Sequence, residues 1–463
     1  MKIITQKILA LILLFSGFTL TAQSVDSVRA VALAPDQAER ERTQAIDILG
    51  DSFLGGPADS VLKYATLYQE LAKQTDAQDL GMARLLLAVY YTQIGDTAKV
   101  RSSVRRGVDL CFEAGASEKA IIRIRDVARY LLVTDQYPLA RSYFKYGAML
   151  ADSVDNLRWQ GIHTANAGLS YEREGYMEEA MTYYEKSLAM FEVTRDSTLL
   201  AWTLDGLGRA NHFTERRVDT ALSYYQRSFD IWFALGNQFA CSGNLINMAG
   251  IYLGQGNYAE SLDLYQRALR IVEEVQEPLA LKLEFKASIL NDIGEIYTRQ
   301  DMREKALSYY EESLALAREL GSKRVIAKEL AAITNSYQAL GKDSLALRTV
   351  NEALDLVREI GARSIEGELL GILGRIKASR GAHSAAEVTY LESLTIREEL
   401  ADKWGQVEVL NGLTSLNLTL GNYAAAERYG QRGLAMAEEI KSIPQVANMA
   451  NLLWQSQKAL GQP

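Results

Sequence analysis

Cysteine, histidine and proline are all scarce in this chain of 463 residues, which has 2 Cys, 3 His and 6 Pro. So few Cys and His cannot form a zinc cluster, an iron–sulfur site or a disulfide framework from this chain alone. We therefore predict no metal site and no cofactor. Because Pro interrupts helices and its usual share is about 5%, its scarcity favours long helices over a turn-rich β architecture. The sequence predicts an all-α fold.

Positive charge is also in short supply. The chain has 50 Lys and Arg against 58 Asp and Glu, a formal net charge of −8. Binding to a phosphate backbone without sequence preference requires an excess of basic residues, so nucleic acid is not an expected partner. The hydrophobic content of 48% is too high for a disordered chain.

Residues 1–22 have the pattern of a secretory signal peptide. Lys2 and Lys7 precede an apolar run from Ile8 to Phe15, and the polar residue Gln23 follows the segment. The alternatives are a buried helix or an uncleaved anchor, but the run is shorter than the ~20 residues that span a bilayer. No later stretch reaches that length without charges. We predict a periplasmic or secreted protein whose mature chain does not insert into the membrane.

Small residues that precede a Tyr-rich amphipathic run recur about every 40 residues along the chain. They are Ala140, Ala180, Ala221, Ser261, Ala306, Ala346, Ala386 and Ala426. In the clearest unit, apolar residues at helical spacing lie on both sides of Gly256, which predicts two helices separated by a turn. Each unit is therefore predicted to be a helical hairpin. Weaker units before residue 120 and a final half-unit bring the total to about ten.

Small and large residues alternate at matched positions of these hairpins. The first helices carry Gly168, Gly208, Ala249, Gly294 and Gly374, and the second helices carry Tyr184, Tyr225, Tyr265, Tyr310 and Tyr390. Small side chains let helix axes approach, and large ones fill the remaining space. A stacking platform for bases or sugars is the alternative role for these tyrosines, but their fixed place in the repeat favours packing.

The clearest unit resembles the tetratricopeptide repeat. The residues that match its pattern are Asn247, Ala249, Tyr252, Gly256, Tyr258, Ser261, Tyr265 and Ala268. The units are longer than the family's usual 34 residues and resemble an extended subclass found in exported bacterial arrays, such as the sensor regions of histidine kinases. The resemblance implies a right-handed α-solenoid over residues 23–463, with degenerate units at 23–120, clear units at 121–440 and a half-unit at 441–463. It also implies a concave groove, lined by first helices, that binds a peptide or protein segment.

The resemblance places seven residues in this groove: Trp202, Asp205, Arg209, His212, Ile246, Leu253 and Asn291. Asp205, Arg209 and His212 are spaced i, i+4 and i+7, so they share one helix face. They form either an intrahelical ion pair on a solvated face, with Trp202 between repeats, or a recognition patch. In the second case Trp202 is the anchor and Arg209 binds a carboxylate or carbonyl.

In later units the groove positions are mostly polar. They are Asn291, Glu295, Thr298, Arg299, Lys328, Asn335, Gln338, Arg375, Glu408, Asn411, Asn448, Asn451 and Gln455. The sequence predicts a hydrogen-bonding stretch of groove there.

No motif for catalysis is present: there is no Walker loop, His-Glu-x-x-His, Gly-x-Ser-x-Gly or adjacent Cys–His pair. We predict no catalytic residues, and we expect Cys111 and Cys241 to be separate buried thiols. The leading hypothesis is an exported, non-enzymatic protein–protein interaction scaffold. One alternative is the sensor part of a signalling receptor, a histidine kinase or transcriptional regulator whose membrane and output modules are not in this chain. A third hypothesis is an enzyme with an unrecognised site. The pattern predicts neither the partner's identity nor the oligomeric state.

Overall fold

The computed structural model describes residues 30–34, 42, 44–46, 58–72, 77–212 and 217–461. The predicted signal peptide lies outside these residues. From Ala58 onward the described chain forms twenty α-helices and no strand, which confirms the all-α prediction. The helices are α1 Ala58–Ala72, α2 Ala77–Gln93, α3 Thr97–Glu113, α4 Ser117–Val133, α5 Tyr137–Asp152, α6 Leu157–Glu174, α7 Met177–Thr194, α8 Ser197–His212, α9 Val218–Ala234, α10 Gln238–Gly254, α11 Tyr258–Glu274, α12 Leu279–Arg299, α13 Arg303–Glu319, α14 Lys323–Ala339, α15 Asp343–Ile360, α16 Arg363–Ser379, α17 His383–Glu399, α18 Lys403–Thr419, α19 Tyr423–Glu439 and α20 Ile443–Ala459.

The helices fall into two compact units, residues 1–255 and 256–463. The first unit contains α1–α10, and its complete hairpins are α2–α3, α4–α5, α6–α7 and α8–α9. The second unit contains α11–α20, and its complete hairpins are α12–α13, α14–α15, α16–α17 and α18–α19. The even-numbered helices are the first helices of the hairpins, and the odd-numbered ones are the second helices.

A left-handed backbone residue ends each helix in the later part of the chain and sets the length of the repeat. From Gly321 to Gly461 such a residue occurs every twenty positions. Glycine occupies most of these positions because it has no Cβ to clash in this conformation, but Ala401 and Lys441 occupy two of them. Two helices and two such turns together give the 40-residue period that the sequence shows.

Successive first helices contact one another as well as their own second helices. In the first unit α4 packs on α2, α6 on α4, α8 on α6 and α10 on α8, and in the second unit α16 packs on α14, α18 on α16 and α20 on α18. The first helices from α2 to α10 in the first unit, and those from α14 to α20 in the second, therefore form a continuous layer within their unit, and their outward positions share one face. We call this the first-helix face.

The predicted pairing of small and large residues is confirmed. A Cβ added at Gly208 would lie 2.6 Å from the ring of Tyr225, and one added at Gly374 would lie 2.6 Å from the ring of Tyr390. A buried serine strengthens the same contact: Ser228 Oγ donates to the Ala201 carbonyl at 2.9 Å. Equivalent bonds join Ser187 to Gly161, Ser313 to Ala287 and Ser393 to Gly367. Four hairpins, α6–α7, α8–α9, α12–α13 and α16–α17, are thus each closed by a glycine packed against a tyrosine and by a side chain to main chain bond.

Cys111 and Cys241 are separate buried thiols that form no disulfide, as expected from the sequence. Within the described residues, no helix is both long and apolar enough to cross a membrane.

Candidate functional site

Four of the residues predicted to line the groove lie together on the first-helix face of the first unit. Trp202, Asp205, Arg209 and His212 follow one another along α8, and each is half-buried. Trp202 meets the ring of Tyr184 edge-on, with ring centroids 6.2 Å apart. This side of α8 is therefore packed against the neighbouring hairpin rather than fully solvated.

Arg209 binds the preceding first helix rather than Asp205. Its Nε donates to Glu172 Oε1 at 2.8 Å, and its Nη2 donates to Glu172 Oε2 at 3.2 Å. Tyr184 Oη donates to the same carboxylate at 2.6 Å. Burial acts to raise the pKa of Glu172, but the attraction and hydrogen bonds of Arg209 outweigh it and hold that pKa below its usual value.

Asp205 binds the following first helix. Asn244 Nδ2, on α10, donates to Asp205 Oδ1 at 2.6 Å. Burial raises the pKa of Asp205 to about 6, and Arg209 only partly offsets that rise. Asn244 Oδ1 is buried and has no hydrogen-bond partner among the described residues. Asp205 and Arg209 thus connect α8 to α10 and α6 respectively.

The other two predicted residues of this unit lie on α10 and differ in burial. Ile246 is half-buried and Leu253 is buried in α10. Burial also lowers the pKa of His212.

Glu172, Tyr184 and Asn244 complete the network, although no sequence motif marked them as site residues. The sequence contained one signal for the Glu172–Arg209 pair, the separation of 37 residues between them. Because this is slightly less than one repeat, the two residues lie on successive first helices.

Asn291 connects two first helices of the second unit in a similar way. Its Nδ2 donates to Glu329 Oε2 at 2.8 Å and joins α12 to α14. Glu329 is only 4% exposed, and burial raises its pKa to about 7, although the hydrogen bond from Asn291 acts in the opposite direction. Neighbouring Asp292 also has a pKa raised by burial, to about 6.

Arg375 in the second unit has the same place in the repeat as Arg209, since each directly follows the small residue of its first helix. Its Nε donates to Gln338 Oε1 at 2.9 Å, 37 residues earlier in the chain. Its Nη2 donates to Asn335 Oδ1 at 2.7 Å. The partners of Arg375 in these bonds are neutral amides, whereas Arg209 binds a carboxylate.

The first-helix face of the second unit encloses a cavity of about 520 Å³. The lining includes groups from α14, α16, α18 and α20, with contributions from α12 and α17. The lining residues are Thr298, Asn335, Glu368, Gly371, Ile372, Arg375, Tyr390, Arg397, Glu408, Val409, Asn411, Gly412, Gln445 and Asn448. Six of the thirteen polar residues that were predicted for the later groove are among them, namely Thr298, Asn335, Arg375, Glu408, Asn411 and Asn448. The other seven do not line this cavity.

Glycines keep the bottom of this cavity open. A Cβ at Gly412 would lie 2.7 Å from the Tyr390 ring, so this glycine makes room for the tyrosine of α17. A Cβ at Gly371 would have its nearest neighbour, Ser393 Oγ, at 3.6 Å, which is ordinary contact distance. Gly371 therefore leaves space that a side chain could occupy.

The fold and this cavity define a class of protein: a helical-hairpin repeat array with an open polar surface on its first helices. Arrays of this class typically serve as interaction scaffolds, because stacked repeats create extended binding surfaces. A family model described as a tetratricopeptide repeat matches residues 162–232, 241–319 and 285–359. Within residues 162–359 the chain therefore contains tetratricopeptide repeats.

Solved structures support the same fold at low sequence identity. A signal transduction ATPase with a tetratricopeptide repeat sensor from Pyrococcus horikoshii has a TM-score of 0.54 and 15% identity, over 98% of this chain and 68% of that one. Aspartyl phosphate phosphatase F from Bacillus subtilis has a TM-score of 0.51 and 11% identity, over 82% of this chain and 96% of that one. The apo form of the quorum sensor NprR from B. thuringiensis has a TM-score of 0.50 and 14% identity, over 78% of this chain and 99% of that one. No curated protein sequence matches the chain significantly.

Proposed function

We propose that this protein is an exported, non-enzymatic scaffold that binds a peptide or protein segment on its first-helix face. The observation that carries the proposal is the cavity of about 520 Å³ in the second unit. Its volume lies within the range of about 300 to 1,000 Å³ that is usual for ligand-binding pockets.

The spacing of the polar groups in this cavity suits an extended peptide. Asn335, Asn411 and Asn448 come from α14, α18 and α20, and Arg375 comes from α16 between them. Packed helices lie about 8 to 10 Å apart, and an extended chain advances about 3.3 Å per residue. A peptide that crosses the helices would therefore meet one polar side chain about every three residues. Asparagine both donates and accepts hydrogen bonds, so it can bind main-chain N–H and C=O groups.

Gly371 offers a direct test of this cavity. Peptides would be selected from a phage-displayed random library on the full-length protein, and their binding would be measured by fluorescence anisotropy. Gly371→Phe places a ring in the cavity, whereas the control Gly371→Ala adds one methyl group at contact distance. Both changes replace glycine within a helix, so neither should reduce helicity.

We expect Gly371→Phe to weaken binding of the selected peptides at least about 10-fold and Gly371→Ala to change it less than about 3-fold. Circular dichroism and thermal melting would establish that both variants are folded. If the selected peptides bind the folded Gly371→Phe variant as well as the wild type, the cavity is not the binding site.

In the first unit we propose a contact surface centred on Trp202 and Ile246, which are half-buried side chains on the same face. Asp205 and Arg209 are engaged by neighbouring first helices, so their proposed role is to hold those helices in register. Asn291 has the corresponding role between α12 and α14.

Export is proposed from the pattern of residues 1–22. The test is the N-terminal sequence of the protein recovered from the native cell by fractionation. We expect an extracytoplasmic product that begins at or close to Gln23. A cytoplasmic product that retains Lys2 and Lys7 would contradict this part of the proposal.

A further inference from the structure

Charged side chains occupy two opposite sides of the cavity in the second unit. On α16, Glu368, Gly371 and Arg375 are spaced i, i+3 and i+7 and share one face of the helix. Seven residues of α-helix extend about 10 Å. The backbone positions of Glu368 and Arg375 are therefore about 10 Å apart along the helix axis, and Gly371 lies between them on the same face.

The side at Glu368 is acidic. Glu408 lies at the same position of the next first helix, 40 residues later, and also lines the cavity. The Arg397 guanidinium lies beside these groups, with Nη1 donating to Asp402 Oδ2 at 2.8 Å and Nη2 lying 3.6 Å from Glu408 Oε2. Lys328 of α14 is the other cation that acts on Glu368. Three carboxylates against two cations leave this side with a net negative charge.

Arg397 extends to the acidic side of the cavity because Gly405 leaves space for its guanidinium. Its side chain is only 8% exposed, and its Nε is buried without a hydrogen-bond partner among the described residues. A Cβ at Gly405 would overlap its guanidinium. The acidic side of the cavity is thus built around a buried cation that belongs to a second helix, α17.

The side at Arg375 is basic. Its guanidinium donates to Gln338 and Asn335, which are neutral. In the part of the chain that the structure describes, no carboxylate lies within 4.0 Å of it. An exposed cation that is oriented by two amides and lacks a counter-ion is suited to an incoming anionic group.

We propose that this cavity binds an extended peptide segment that carries a basic and an acidic side chain on opposite sides of its backbone. The basic side chain lies toward Glu368 and Glu408, and the acidic one lies toward Arg375. This inference rests on the proposed peptide-binding function and adds the chemistry of the segment.

The geometry also specifies the spacing of the two charges. Successive side chains of an extended chain point to opposite sides. Basic and acidic residues one or three positions apart therefore face opposite ways, whereas residues two or four apart face the same way. A segment that spans the two sides of the cavity needs the odd spacing.

A defined peptide library tests this inference. The probes are acetylated, amidated heptapeptides with one Lys and one Asp placed one to four residues apart among randomised uncharged residues. They would be selected on the full-length protein and identified by mass spectrometry. We expect spacings of one and three to be enriched at least about 5-fold over spacings of two and four, with the enrichment decreasing as salt is raised.

Three variants test which residue of the cavity is responsible for each charge preference. Glu368→Gln is expected to remove the preference for Lys, and Arg375→Gln the preference for Asp, each with about 10-fold weaker binding of the enriched peptides. Glu319→Gln, at an exposed position of second helix α13, changes the net charge by the same amount as Glu368→Gln and should leave both preferences intact. These side chains are exposed, so helicity should not change.

The outcomes separate this inference from the function on which it rests. Retention of peptides without a spacing preference, or with preferences that survive both substitutions, overturns the charge pattern alone. If no peptide, charged or neutral, is retained better by the wild type than by Gly371→Phe, the proposed peptide-binding function fails as well.

Discussion

The Arg209 guanidinium donates two hydrogen bonds to the carboxylate of Glu172, which lies 37 residues earlier in the chain. The Arg209 side chain is 28% exposed and that of Glu172 only 10%. The pair joins α8 to α6, and Arg375 and Gln338 repeat the same connection between α16 and α14. An arginine that follows the small residue of a first helix thus fixes the register of adjacent repeats in both units.

Removal of this arginine should destabilise the first unit. Arg209→Ala leaves the buried Glu172 carboxylate without its cation, and we expect a loss of about 2 kcal/mol in the free energy of unfolding. That value lies between the loss of under about 1 kcal/mol for an exposed pair and the 3 to 5 kcal/mol for a buried one. Urea unfolding provides the measurement. Glu172→Gln is the partner for a double-mutant cycle, and strictly additive losses would show that the two side chains do not interact.

Trp202 should matter for binding more than Arg209 does. Trp202→Ala removes a half-buried aromatic surface, so we expect weaker binding of any ligand selected on the first unit, together with a modest loss of stability. Trp202→Phe retains an aromatic ring against Tyr184 and should restore most of the stability. If binding decreases only in proportion to the folded fraction, Trp202 is a packing residue and not a contact residue.

His163 should make the protein sensitive to acid. Its ring is completely buried, and burial lowers its pKa from 6.5 to about 4, with Arg125 acting in the same direction and the bond to Ile121 and nearby Asp126 opposing it. The unfolded chain takes up this proton first, so the free energy of unfolding decreases as pH falls from 6.5 to 4, by an amount on the order of 3 kcal/mol. His163→Gln can keep a donor toward the Ile121 carbonyl but does not titrate. The stability advantage of the wild type over this variant should therefore shrink as pH falls, and a constant difference would contradict the assignment.

Glu329 should have the opposite pH dependence. Burial raises its pKa from 4.5 to about 7, so the folded protein holds a proton that the unfolded chain releases. The free energy of unfolding then decreases as pH rises from 4.5 through 7. Glu329→Gln preserves an acceptor for Asn291 and removes the charge, so the variant should gain stability relative to the wild type over this range. Thermal melting at pH 5 and pH 8 measures the change, and an equal difference at both values would contradict it.

Replacement of Ala401 by glycine should increase the stability of the protein. Its φ of 53° is left-handed, a conformation that costs a residue with a Cβ about 1 to 2 kcal/mol. The greater freedom of glycine in the unfolded chain offsets part of that gain, so we expect Ala401→Gly to stabilise the protein by about 0.5 to 1 kcal/mol. The reverse change at the equivalent turn, Gly421→Ala, should destabilise it by a similar amount. Melting temperatures that shift in the same direction for both variants would refute this explanation.

The hairpins and their packing could be predicted from the sequence because they depend on local and periodic properties. Gly208 and Tyr225 lie within one hairpin, and their residue types repeat at a fixed interval, so size alone indicates that they interlock. The turn at Gly256 follows from the conformational freedom of glycine between two amphipathic runs. The resemblance to the tetratricopeptide repeat placed Asn335, Arg375, Asn411 and Asn448 on one face.

The tertiary structure decided which charged groups meet. Asp205 and Arg209 have the spacing of an intrahelical pair, yet Arg209 binds Glu172 on the preceding first helix and Asp205 binds Asn244 on the following one. The rotation and separation of adjacent helices determine those contacts, and these properties arise only when the repeats pack together. Arg397 belongs to a second helix and reaches the cavity only because Gly405 has no side chain. The period of the sequence thus determined the fold and the composition of the first-helix face, whereas the close packing of helices from different repeats determined its electrostatics.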